Sequence, residues 1–197
     1  MSWALIPLKD FSRAKRRLSP ALGQAERAAL AETLARRAIA AARACHGIDE
    51  VVVLSNDHAA ASWASSLEGV GSLSCPPDRD LAQVVDHGLH AAARGGVRQA
   101  LVLMGDLPRV TTADLDALIE HGAPVAAPDH HGTGTNALWV DLPARPTHFG
   151  TPDSLLAHRQ AWPELAVLEL PGIALDIDLP RDLRQLDAAE RRALLAG

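Results

Sequence analysis

Two patterns of apolar and polar positions alternate along this chain. Short unbroken apolar runs predict buried strands at Trp3-Ala4-Leu5-Ile6-Pro7, Val51-Val52-Val53-Leu54 and Ala100-Leu101-Val102-Leu103-Met104, with shorter ones at Leu73 to Cys75, Val125 to Ala127 and Ala137 to Val140. Between them, apolar residues recur at helical spacing. Leu30, Leu34, Ala38 and Ala41 share one face of a helix over Glu26 to Ala44, and Leu81, Val84, Val85 and Leu89 share one over Asp80 to Arg94. Further helices are expected after Asn56, at Ala113 to Glu120 and at Leu155 to Trp162. Ser55 or Asp57 suits the N-cap of the helix carrying Trp63 and Leu67, Thr112 suits the cap of Ala113 to Glu120, and Gly95-Gly96 ends the helix before it. Asp141 to Gly150, with Pro143 and Pro146, reads as loop. Alternation of this kind predicts a Rossmann-like α/β sandwich with a mostly parallel sheet, as a single domain over residues 1–197. In such sheets ligands sit beyond the carboxyl ends of the strands, so the residues just after each strand carry the functional reading.

Composition narrows that reading. Of the 197 residues 48% are hydrophobic and 22% charged, as in an ordinary soluble globular protein. Aromatics are only 3%, so platforms for stacking single-stranded nucleic acid are not expected. A net charge of -5 argues against general nucleic-acid binding, and a phosphate-handling protein with this balance must gather its cations locally or use metal ions. Met1 to Leu8, followed at once by Lys9 and Asp10, reads as neither a signal peptide nor a membrane span. Cys45 and Cys75 lie in no metal-like spacing, and a reduced cytoplasmic setting is the expectation.

Five stretches carry candidate chemistry. After the first strand, Lys9, Arg13, Lys15, Arg16 and Arg17 fall within nine positions, a basic loop able to hold a triphosphate or, equally, a solvated basic turn. After the central strand comes Gly105-Asp106-Leu107-Pro108, whose carboxylate suits Mg²⁺, or simply begins a turn. Asp176-Ile177-Asp178 in an extended segment puts both carboxylates on one side, and two such charges call for a cation between them. Asp178-Leu179-Pro180 also resembles a capped helix start. Finally, Asp129 to Asn136 holds Gly132 and Gly134, whose backbone N–H groups can approach an anion, with Thr135 and Asn136 as further donors; a glycine-rich hairpin is the plain alternative. Phe149-Gly150-Thr151-Pro152-Asp153-Ser154 leads into a helix whose N-terminus can seat an anion, and His158 either reaches that seat or lies on the surface. His130 and His131 have no partner at zinc-like spacing.

Taken in order, these motifs resemble the CofC/FbiD family, the guanylyltransferases of coenzyme F(420) biosynthesis. The resemblance rests on Pro7-Leu8-Lys9, Ala14 to Pro20, Gly105 to Pro108, Gly132 to Leu138, Phe149-Gly150 with Ser154 and His158, and Asp176 to Leu183. It implies a GT-A-like nucleotidyltransferase fold. It implies transfer of GMP from GTP to 2-phospho-L-lactate, phosphoenolpyruvate or 3-phospho-D-glycerate. Asp106, Asp176 and Asp178 would surround Mg²⁺, Lys9, Arg13, Lys15 and Gly105 the nucleotide, and Thr135, Asn136, Gly150 and Ser154 the acceptor. Asp106, Lys15 and Lys9 would be catalytic. Two departures stand out: Asp80-Leu81-Ala82-Gln83 replaces the family's usual glycine-leucine-asparagine, and the stretch from Gly150 to Ser154 is one residue longer. Other readings are a different base or acceptor, as in molybdenum-cofactor nucleotidyltransferases, or a non-catalytic GTP-binding regulatory module. A homodimer is a candidate assembly, with neither nucleic acid nor membrane as partner.

Overall fold

The computed structural model describes residues 1–195. Seven strands form one sheet in the order β3-β2-β1-β4-β6-β5-β7: β1 (Ser2–Pro7), β2 (Glu50–Ser55), β3 (Gly71–Ser74), β4 (Gln99–Leu103), β5 (Val125–Pro128), β6 (Thr135–Asp141) and β7 (Ala166–Val167). Neighbours are parallel from β3 to β4, and β6 alone runs against both of its neighbours. That reversal brings the start of β6 to the edge where β4 ends: Leu103 pairs with Ala137, and the Met104 amide donates to the Asn136 carbonyl at 2.9 Å. Asp106 and Thr135 therefore lie along the same edge.

Helices cover both faces: α1 (Gln24–Ala44), α2 (His58–Ser65), α3 (Leu81–Arg94), α4 (Thr112–His121), α5 (Ser154–Ala161), and the single turns α6 (Pro171–Ala174) and α7 (Pro180–Leu183), with α8 (Ala188–Leu195) last. Strand alternation sorts the apolar residues between two cores. Ala4, Ile6, Val51, Val53, Leu101 and Leu103 face Ala35, Ala38, Ala64, Leu115 and Leu118 of α1, α2 and α4. Leu5, Val52, Leu54, Ala100 and Val102 face Val84, Val85, Leu89, Leu155 and Trp162, from α3 and the α5 region. A third, smaller core lies apart from these. Leu18 and Leu22 of the basic loop join Leu30 and Leu34 of α1, Leu175 and Ile177, Leu183 and Leu186, and Leu194 of α8. No described helix is long and apolar enough to cross a membrane.

The expected strands are all present within a residue or two, but two cap assignments change. Thr111, not Thr112, caps α4: its hydroxyl accepts from the Asp114 amide and its own amide donates to the Asp114 carboxylate. At α7 the cap is not Asp178. Asp182, buried inside the first turn, accepts from the amides of Asp178 (2.9 Å) and Leu179 (2.6 Å), which leaves the Asp178 carboxylate free to face elsewhere. Asp57 does cap α2, accepting from Ala59 and Ala60.

Candidate active site

The sheet's carboxyl edge gathers three acids. Gly105, just after β4, lets the chain pack close to Leu8, since a Cβ there would lie 2.6 Å from Leu8 Cδ2. Asp106 follows it. The Ile177 amide donates to the Asp106 carbonyl (3.2 Å), so the late segment is stitched onto the β4 loop beside Asp106. Ile177 is fully buried in the third core, and Asp176 and Asp178 on either side of it turn outward together. Carboxylate oxygens of Asp106, Asp176 and Asp178 converge within 4.8 Å of one another, the one such group of possible metal ligands among the described residues. All three donors are hard oxygens, the chemistry that Mg²⁺ and Mn²⁺ take and zinc sites seldom use alone. Burial, then the charges of Asp106 and Asp178, push the Asp176 carboxyl up to about 6, while the Asn136 amide and Lys15 pull it the other way. Three acids held this close leave a deficit of positive charge.

Lys15 meets part of that deficit. Its backbone is left-handed (φ 54°), which turns its side chain inward from the basic loop. Nζ lies 2.7 Å from Asp106 Oδ2 and 3.0 Å from Asp178 Oδ1. Burial works against the ammonium, but Asp106 and then Asp178 outweigh it and raise the Lys15 pKa. Arg17 approaches Asp178 at 3.8 Å from the solvent side. Lys9 and Arg13 are not drawn in: both are exposed, Lys9 forms no ion pair among the described residues, and Arg13 only a 3.9 Å contact with Asp10. Of the five cations in the basic loop, then, Lys15 is held between the acids, Arg17 reaches Asp178 from the solvent side, and Lys9, Arg13 and Arg16 are exposed.

The glycine loop differs from expectation. Its amides are not open to an outside anion, because Asp129 Oδ1 accepts from Thr133 and Gly134 at 2.9 Å each. The hairpin alternative is the one the chain adopts. Asn136 also has other partners: its amide nitrogen donates to the Ile173 carbonyl (2.9 Å) and reaches that of Ala174 (3.3 Å), which positions the segment leading to Asp176. Thr135 and Ser154 do come together, with Ser154 Oγ donating to Thr135 Oγ1 at 3.3 Å. Gly150 is exposed in a left-handed conformation (φ 82°), and a Cβ there would lie 3.3 Å from Leu81 Cβ. The departure at Asp80 to Gln83 has a local role: Asp80 and Gln83 cap α3 reciprocally. His158 is fully buried, so the surface alternative for it is excluded.

Sequence reasoning missed Arg109 and Arg37, which brace the Asp106 loop. Arg109 grips Glu190 of α8 (2.7 and 3.0 Å) and the Gln185 carbonyl (2.8 Å). Arg37 of α1 donates to the Pro108 carbonyl. Such partners lie 71 to 81 residues apart, and no local pattern announces them. The His130 and His131 rings lie against each other, tilted by 41°, with centroids 3.8 Å apart.

The family described as "Guanylyl transferase CofC like" matches residues 2–186. A phosphoenolpyruvate guanylyltransferase of Conexibacter woesei is 35% identical over 206 residues, covering 96% of this chain and 90% of that protein. Another, of Chloroflexus aggregans, is 37% identical and covers 95% and 98%. Among solved structures, a Desulfovibrio desulfuricans protein provisionally assigned as a nucleotide-diphospho-sugar transferase superposes with a TM-score of 0.76 at 17% identity, covering 99% of this chain and 94% of that one. A Mycobacterium tuberculosis protein solved with manganese gives 0.60 at 17% identity, covering 94% and 96%. At these identities the structural likenesses carry the fold, that of nucleotidyltransferases.

Proposed function

The chain belongs to the CofC-like guanylyltransferase family, and from that premise we propose that it transfers GMP from GTP to phosphoenolpyruvate or a close analogue, 2-phospho-L-lactate or 3-phospho-D-glycerate, in coenzyme F(420) biosynthesis. It is a nucleotidyltransferase. The observation that carries the site is the convergence of Asp106, Asp176 and Asp178 at the carboxyl edge of the sheet. That oxygen-only set fits Mg²⁺, which when bound supplies charge neutralisation between nucleotide and acceptor phosphates.

The chain's own residues then have simple tasks. An oxygen of the acceptor's phosphate attacks the α-phosphorus of GTP, a bond forms there, and the bond to the β-phosphate oxygen breaks to release pyrophosphate. A phosphate monoester with a second pKa of about 6 is already ionised at neutral pH, so no side chain need remove a proton. Alignment and charge carry the catalysis. Lys9 and Arg13, exposed on the basic loop that also carries Lys15, are available to the β- and γ-phosphates, with Gly105 giving the nucleotide close access to the strand end. Lys15, already desolvated against Asp106 and Asp178, supplies fixed positive charge at the reacting centre. Thr135 and Ser154, with the exposed turn at Gly150, suit the acceptor's carboxylate end.

The test is pyrophosphate release by the purified protein with Mg²⁺, pairing GTP, ATP, CTP and UTP with each of the three acids, and with a downstream enzyme as trap for the labile product. Release with GTP and one acid is expected. Release with another base would assign a different nucleotidyltransferase, and GTP binding with no release on any pairing would favour a regulatory module.

A further inference from the structure

His158 is the only fully buried histidine the structure describes in contact with the acceptor side of the site, and its hydrogen bonds have one consistent protonation. The His148 backbone N–H donates to His158 Nε2 at 2.9 Å. A backbone amide cannot accept, so Nε2 carries no proton. Burial, with the charge of His148 as the lesser cause, lowers the His158 pKa to about 4, and the ring is neutral at neutral pH. Its proton is therefore on Nδ1, which lies 3.0 Å from Thr135 Oγ1. Thr135 Oγ1 accepts that proton's hydrogen bond and also the one from Ser154 Oγ. A hydroxyl that accepts from Nδ1–H must turn its own O–H away from the imidazole.

Phe149 stands edge-on to the ring at 4.8 Å, and Trp162 closes the far side at 5.7 Å. Among the described residues, the titratable group facing the imidazole is His148, at 5.8 Å between centroids. The ring is thus packed and oriented as well as protonated in one way. It touches neither the three acids nor the basic loop.

We infer that His158 is a positioning residue: the relay from the His148 amide through its imidazole to Thr135 forces the Thr135 hydroxyl to act as a donor, aimed at an anionic group of the acceptor. The inference rests on the guanylyltransferase reading and deepens it, because a hydroxyl held as donor selects a carboxylate over a neutral or cationic group at that end of the acceptor. It also accounts for a fully buried histidine on α5.

Steady-state kinetics of pyrophosphate release, with phosphoenolpyruvate and GTP varied separately, test it. His158→Asn keeps a donor near the place of Nδ1, whereas His158→Gln keeps an acceptor near the place of Nε2 and loses the donor to Thr135. The relay predicts that His158→Gln and His158→Phe raise the KM for phosphoenolpyruvate about tenfold, with the KM for GTP little changed, and that His158→Asn restores most of it. It predicts too that adding His158→Phe to Thr135→Val costs nothing further, because the second link is already gone. If His158→Phe does not fold, as read by its melting curve, the Asn and Gln pair carries the test alone. Unchanged phosphoenolpyruvate KM in His158→Gln, equal losses with GTP and acceptor, or effects that multiply in the double variant would overturn the relay. A wild-type protein that releases no pyrophosphate with GTP and any of the three acids would instead overturn the guanylyltransferase reading, and the relay's role with it.

Discussion

The sheet and the small third core both contribute to the candidate site, and they are built differently. The sheet's two cores come from contiguous apolar runs, each read within five or six residues. The third core is assembled from Leu18, Leu30, Ile177, Leu186 and Leu194, drawn from both ends of the chain. Asp106 belongs to the first construction, at the end of a central strand. Asp176 and Asp178 belong to the second, on an irregular segment fixed by Ile177 between them. The carboxylate cluster exists only where the two meet. Fold and site should therefore be separable by mutation, with the sheet setting stability and the third core setting how well the acids converge.

The largest expected effect is at the sheet's contribution to the cluster. Asp106→Asn should lower kcat by about 10³-fold or more, on the scale of removing one charged group from a phosphoryl-transfer site, while circular dichroism and melting temperature stay near wild type. Full activity in a folded Asp106→Asn protein would remove Asp106 from the site.

A matched pair of cavity mutations comes next. Leu101→Ala in the sheet and Ile177→Ala in the third core each delete a fully buried side chain and should each cost about 2–4 kcal/mol in denaturant unfolding. Only Ile177→Ala should weaken divalent-cation binding, by about tenfold or more, because only it loosens Asp176 and Asp178. Equal cation affinity in the two variants would mean that the acids do not depend on the third core.

The raised carboxyl of Asp176 gives a pH signature for the metal-free protein. A folded pKa of about 6 against an ordinary value of 3.8 means that the folded state holds its proton longer. This contribution is complete below about pH 4 and is lost as pH rises through 6. Asp176→Asn should remove the loss. Its unfolding free energy relative to wild type should rise by about 1–2 kcal/mol between pH 4 and pH 7, once the shift is discounted for solvent screening. Paired denaturant unfolding curves in chelator measure this, and a difference that is flat with pH would contradict it. The smallest effect is expected at Arg109→Ala, which frees α8 from the Asp106 loop: the melting temperature should fall by about 2 °C with kcat nearly unchanged. A larger loss of activity than of stability would make Arg109 part of the site.

The same division explains how much was legible in the sequence. Strands and helices of the sheet were readable because burial imposes a local period, and Asp106 because it follows the strongest apolar run. The Asp-x-Asp pair is visible as spacing, but the cap is not: Asp182 reaches back to accept the Asp178 and Leu179 amides, and the Asp178 carboxylate pairs with Lys15. The glycine loop misled because Asp129, five residues before Gly134, fills the anion seat that its amides form. The antiparallel course of β6 was likewise unreadable, since an apolar run has no direction. It is this course that brings Thr135 to the edge shared with Asp106.

The most direct measurement of the central claim is pyrophosphate release from GTP and phosphoenolpyruvate by chelator-treated protein, before and after Mg²⁺ is restored, in wild type and in Asp178→Asn. The account predicts no release without the cation, full recovery in wild type, and in Asp178→Asn a requirement for at least tenfold more Mg²⁺ to reach any given rate. Release that persists in chelator, or an Asp178→Asn protein with the wild-type Mg²⁺ dependence, would contradict it.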